Sequence, residues 1–152
     1  TPFVVRWPAH IPAETRSDLM IQNIDLAPTL LDLAGIEAPA RMHGRSFADL
    51  LRSGGQIPPE NWRDAVYYRY YESDGPHTVP KHDGVRTARW KLIHFSEIDE
   101  DAEGPMPAGV WELYDLESDP DEMRNLADIA EYADVRARLT ETLETLRSRY
   151  EH

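Results

Sequence analysis

The sequence predicts an α+β chain: a short strand and two helical segments, followed by a four-stranded antiparallel sheet packed with a C-terminal helix. Three observations carry that prediction. Four β-rich stretches follow one another between residues 65 and 114, as a strand-after-strand antiparallel sheet requires. A helical apolar period runs from Asp134 to Tyr150. A strand-like and a helix-like segment stand before the sheet, set off by Pro58-Pro59, so the expected division is 1–57 and 58–152.

Each element has its own local reason. Phe3-Val4-Val5-Arg6-Trp7 reads as a short apolar strand stopped by Pro8. A buried strand normally has partners on both sides, and Thr1 is not a start methionine, so the expectation is a piece of a longer protein. Asp25 is the expected N-cap of a helix through Leu33, with Pro28 in the first turn. Leu26, Leu30 and Leu33 form its apolar stripe and Gly35 its C-cap. Ser46 starts a second short helix, Phe47 to Arg52, ended by Gly54-Gly55.

The β-rich part begins with Ala65-Val66-Tyr67-Tyr68-Arg69-Tyr70-Tyr71. Gly84–Thr87 and Lys91–Phe95 flank a tight turn at Ala88-Arg89 and read as a hairpin. In the fourth strand, Val110, Glu112 and Tyr114 share one face and Trp111 and Leu113 the other. Asp119-Pro120-Asp121-Glu122 carries the signals of a helical start. From Asp134 on, Val135, Leu139, Leu143, Leu146 and Tyr150 recur every three or four residues, so this helix should lie on the sheet.

Composition limits function. The 152 residues hold 16 Lys plus Arg against 28 Asp plus Glu, a net charge of −12. Such a chain is ill suited to nucleic acid or to anionic lipid, both of which need a basic surface. Cysteine is absent, which removes disulfides, thiolate metal sites and cysteine nucleophiles. No apolar run approaches the roughly 18 to 20 residues of a membrane-spanning helix. The chain also lacks G-x-S-x-G, a phosphate-cradling glycine loop and H-E-x-x-H.

The most unusual polar segment is Glu72 to Asp83, which holds His77 and His82. Five residues apart with Pro80 between them, they read either as imidazoles aimed into a pocket or as exposed loop histidines. A zinc pair finds no third ligand at a recognisable offset. Residues 69–94 carry Arg69, Lys81, Arg86, Arg89 and Lys91 against Glu72, Asp74 and Asp83. This local basic excess suits a small anionic ligand. Residues 97–104 place Asp99, Asp101, Glu103 and Gly104 at calcium-loop positions, but the twelfth position is Val110, so an EF-hand is rejected in favour of an acidic solvated loop.

Three ordered stretches carry a resemblance: Ile24 to Gly35, Val85 to Ile93, and Glu112 to Leu126. Together with Pro2 to Pro8 they resemble the C-terminal third of type I sulfatases. Tyr67 to Glu72, His77, His82 and Gly84 to Thr87 look like the branch acting on 6-sulfated N-acetylglucosamine of heparan sulfate or mucin glycans. The resemblance implies that residues 1–57 are the tail end of an α/β catalytic domain and 58–152 a smaller sheet-and-helix domain, together with hydrolysis of sulfate esters and an exported or lysosomal setting. It also implies a formylglycine nucleophile, made from C-x-P-x-R or S-x-P-x-R, and a calcium ion held by Asp and Asn. Neither motif occurs here, so this chain is expected to hold no catalytic residue and no metal ligand and to be inactive alone. Its implied share is substrate binding by His77 and His82, with Lys81 and Arg86 as helpers. The implied partners are a sulfated glycan or sugar and the catalytic region of the same enzyme. The alternative is a stand-alone module that binds sulfated glycans or serves only structure.

Overall fold

A computed structural model describes residues 3–71, 79–95 and 109–150. The chain divides into two compact units, Thr1–Arg63 and Asp64–His152.

The first unit is built around helices α1 (Leu26–Leu33) and α2 (Ala48–Arg52). A 3₁₀ turn, Asn23–Asp25, leads into α1. Asp25 corrects the N-cap expectation. It already has helical φ and ψ and caps no amide of α1. Its carboxylate instead reaches back to the Gln22 N–H and across to the Arg45 N–H. Both oxygens also accept from the guanidinium of Arg63. Leu30 is likewise exposed, and α1 buries Pro28 and Thr29. Thr29 earns that place by polar contacts: its hydroxyl donates to the Asp25 carbonyl and accepts the Phe47 N–H. Phe47 to Leu51 then supply the apolar filling. Gly35 ends α1 at φ +71°, with the Ile36 N–H returning to the Leu31 carbonyl. Residues 3–7 form no strand. A strand exists only through a ladder with a neighbour, and the first unit has no other strand among its described residues.

The second unit is the expected sheet and helix. Strands β1 (Ala65–Tyr70), β2 (His82–Thr87), β3 (Trp90–Phe95) and β4 (Val110–Asp115) lie in sequence order, all antiparallel. Helix α3 (Ala133–Tyr150) packs against one face. Because opposite residues share a face, the register Tyr67↔Val85, Val85↔Leu92, Leu92↔Leu113 stacks one apolar row across all four strands. Leu139 and Leu143 of α3 close over that row, with Leu126 and Ala127. The other face carries a smaller cluster of Ile93, Phe95 and Tyr114.

Residues 119–122 form a turn, not the start of a helix. Asp119 accepts the N–H groups of Met123 and Arg124, four and five residues on, beyond the second and third amides that a cap would hold. The chain then turns back because Asn125 and Leu126 are claimed by β4: Asn125 Oδ1 accepts the Leu113 N–H, and the Leu126 N–H donates to the Leu113 carbonyl. Glu122 sits at φ +56° to make that return. No helix among the described residues is long and apolar enough to cross a membrane.

Candidate functional site

The strand register sorts the side chains of the second unit into two polar settings. On the helix-covered face, Arg69, Asp83, His94 and Trp111 stand in one row across the sheet. Asp83 is buried and receives a two-pronged contact from Arg147 of α3, at 2.7 and 2.9 Å. His94 stacks on Trp111 at 4.1 Å, and its Nδ1 is buried without a hydrogen bond, 3.8 Å from Asp83. Burial holds this imidazole below the usual histidine range; Arg147 adds to the effect, and Asp83 opposes it. Together these contacts tie α3 to β2.

The opposite face holds three rows. The outermost contains Val66, Arg86, Lys91 and Tyr114. The middle one contains Tyr68, Gly84, Ile93 and Glu112. The third contains Tyr70, His82, Phe95 and Val110. His82 is the first residue of β2, not part of a loop. Its Nδ1 lies 2.8 Å from the Pro80 carbonyl. Its ring stacks on Tyr70 at 5.4 Å and 20°, packs on Phe95 at 5.1 Å, and meets Tyr68 edge-on at 5.8 Å. Gly84 makes room for Tyr68: a Cβ there would lie 2.7 Å from the phenol oxygen and 2.6 Å from the Leu92 carbonyl. The Tyr68 hydroxyl is buried with no hydrogen-bond partner. Burial first, then Glu122 and Glu112, push it far above the usual phenol range. Tyr114, donating to Glu112 at 3.0 Å, is pushed up to about 12 by burial and by that carboxylate.

Of the residues singled out in the sequence, the three that are described are not gathered in one place. Arg86 shares the face of His82 but stands four residues further along β2, about 13 Å at 3.3 Å per residue, and is exposed. Lys81 is half-buried just before β2. His77, like the acidic loop at 97–104, lies outside the described residues. The basic excess of residues 69–94 is also reduced by the fold. Asp115 takes the Arg89 fork at 2.8 and 3.0 Å, and Glu122 takes Lys91 at 2.5 Å. Arg89 holds the Asp115 carboxyl at about 2. Both acids stand outside the counted window, which is why a sum over the sequence missed them. The aromatic surround of His82 was missed as well. Its one sequence signal is the spacing of Tyr68 and Tyr70, two apart on one strand; Phe95 comes from a strand that only the register identifies.

No three His, Asp or Glu side chains converge as metal ligands among the described residues. They therefore do not fit a calcium site.

Comparison with known proteins covers nearly the whole chain. Residues 1–149 match the family described as N-sulphoglucosamine sulphohydrolase, C-terminal. An N-acetylglucosamine-6-O-sulfatase of Bacteroides thetaiotaomicron is 41% identical over 98% of this chain and 25% of its own length. A delta 4,5-hexuronate-2-O-sulfatase of the same organism is 32% identical over 90% of this chain and 26% of its own. A solved structure of a protein in complex with its substrate D-glucosamine-2-N,6-O-disulfate superposes with a TM-score of 0.83 at 40% identity, covering 96% of this chain and 28% of that one. The chain thus spans about a quarter of the length of these relatives.

Proposed function

The chain belongs to the N-sulphoglucosamine sulphohydrolase C-terminal family, and from that premise we propose that it is the C-terminal part of a sulfatase that removes 6-O-sulfate from N-acetylglucosamine units of glycans. The observation that carries the reading is the superposition over 96% of the chain on a protein bound to a 6-O-sulfated glucosamine. The 41% identity to an N-acetylglucosamine-6-O-sulfatase supports the same position of the sulfate.

In this reading the chain recognises substrate and does not cleave it. Hydrolysis needs a nucleophile and a group that stabilises charge on the sulfate. The chain offers no cysteine, no S-x-P-x-R and no converging metal ligands among its described residues. Formylglycine and calcium are assigned to the remainder of the protein. His82 and His77 are the substrate contacts proposed for this part. Lys81 and Arg86 are secondary, Arg86 at the far end of the strand from His82. The tail-end role of residues 1–57 and a setting outside the cytosol, periplasmic, secreted or lysosomal, belong to the same proposal.

The test uses the full-length protein that carries this chain. It should release sulfate from 6-O-sulfated N-acetylglucosamine faster than from a 2-O-sulfated hexuronate. The double change His77→Ala with His82→Ala should raise KM more than it lowers kcat. Preference for the 2-O-sulfated sugar, or kinetics indifferent to both histidines, would overturn the substrate or the site respectively.

A further inference from the structure

The setting of His82 fixes more than its position. A backbone carbonyl has no proton to give, so the 2.8 Å contact between Nδ1 and the Pro80 oxygen requires the proton on Nδ1. In the neutral ring Nε2 is then a bare acceptor; in the cationic ring both nitrogens donate, and Nδ1 keeps the same partner. In both charge states Nε2 is the nitrogen left for a ligand.

Ring orientation is fixed from three sides. Tyr70 and Phe95 are the cross-strand partners of His82 on β1 and β3, and they pack against the imidazole from opposite sides of its strand. Tyr68 closes the diagonal. Cross-strand pairs of this type are where a sheet gains side-chain order. Second contacts that fix a tautomer and a ring plane are how proteins prepare an imidazole for a partner. Phe95 is buried, so one wall of the cradle is itself held by the core.

We infer that Tyr70, Phe95 and the Pro80 carbonyl are positioning elements that present Nε2 of His82 to the sugar. The inference rests on the substrate-binding role proposed for His82 and adds which atom makes the contact and what holds it there. Tyr70 acts through its ring and not its hydroxyl, since stacking is its contact with His82.

The test again uses the full-length protein, with ¹⁵N-histidine labelling for tautomers and steady-state kinetics on 6-O-sulfated N-acetylglucosamine. In the unaltered protein, His82 should show the Nδ1–H form when neutral. Tyr70→Leu should mix its tautomers and raise KM about tenfold, the scale of losing one hydrogen bond to a charged group, with kcat within about twofold. Tyr70→Phe should restore both signals. A neutral His82 in the Nε2–H form overturns the inference. So does a Tyr70→Leu variant with unchanged KM while His82→Ala raises it. If His82→Ala leaves kinetics untouched, the binding role fails, and the positioning inference fails with it even where the Nδ1–H form is seen.

Discussion

Asp25 shows at the residue scale how a buried charge becomes structure. Its side chain is fully buried, and that of Arg63 is 9% exposed. Four donors converge on it: two backbone amides and both prongs of Arg63. Arg63 and Arg45 also both lie over the Trp62 ring, at 4.6 and 5.1 Å from its centre. Removing one partner of a buried pair leaves the other desolvated and unpaired. Asp25→Ala should therefore cost about 3 to 5 kcal/mol, read as an earlier urea transition of Trp62 fluorescence. Burial raises the Asp25 pKa, but the Arg63 contact and the two amides outweigh it and leave it below 3.8. A carboxyl held low in the fold stabilises above its unfolded pKa and loses that contribution as pH falls through the folded value. Asp25 and Asp115 thus predict a melting temperature that drops below about pH 4. His94 acts at higher pH. Its folded pKa is lowered, so below about 6.5 the unfolded chain binds the extra proton and stability falls with pH. His94→Gln should flatten the melting temperature between pH 7 and 5 and leave the acid limb intact.

Gly84 decides the matter at the scale of the element. It sits in mid-strand, where glycine usually weakens a sheet. Here the missing side chain is what lets the Tyr68 ring lie across β2. Gly84→Ala should cost about 1 to 3 kcal/mol, the range for overfilling a packed site, because the Leu92 carbonyl at 2.6 Å is backbone and cannot swing away. The check is a lowered melting temperature, with His82 chemical shifts moving as Tyr68 is displaced. The sheet itself was legible because period-two alternation survives in sequence: Trp111 and Leu113 face α3, and Val110 and Tyr114 do not. Helix α3 was legible for the same reason at its own period. The turn at 119–122 was not. Its sequence carries capping signals, but Asn125 and Leu126 bond β4 more than ten residues back, and no local pattern announces that. Segment 3–7 failed differently, since apolar residues can mark a strand only where another strand pairs with it. His82 stood out as one of two histidines, five apart, in an unusual polar segment. Its cradle did not, because Tyr70 and Phe95 belong to separate strands that meet only through the register.

At the scale of the molecule, apolar exposure is concentrated in the first unit. Phe3, Val4, Val5, Ile24, Leu30, Ile36 and Ile57 are all exposed there, Val4 at 90% and Leu30 at 66%. Among its described residues, the second unit buries large apolar side chains between sheet and helix and exposes Tyr71, Val79 and Met123. Exposed apolar surface on that scale drives association when nothing covers it. A net charge of −12 opposes association by repulsion between copies, and that repulsion is screened within about 10 Å at 0.1 M salt. Raising salt therefore removes the opposing force and leaves the apolar one. The isolated chain should grow in mass by light scattering as salt rises from about 0.01 to 0.5 M, across which the screening length shortens several-fold. Leu30→Gln with Val4→Lys should suppress the growth. A chain driven together by its charges would respond in the opposite sense, dissociating as salt rises and ignoring both substitutions.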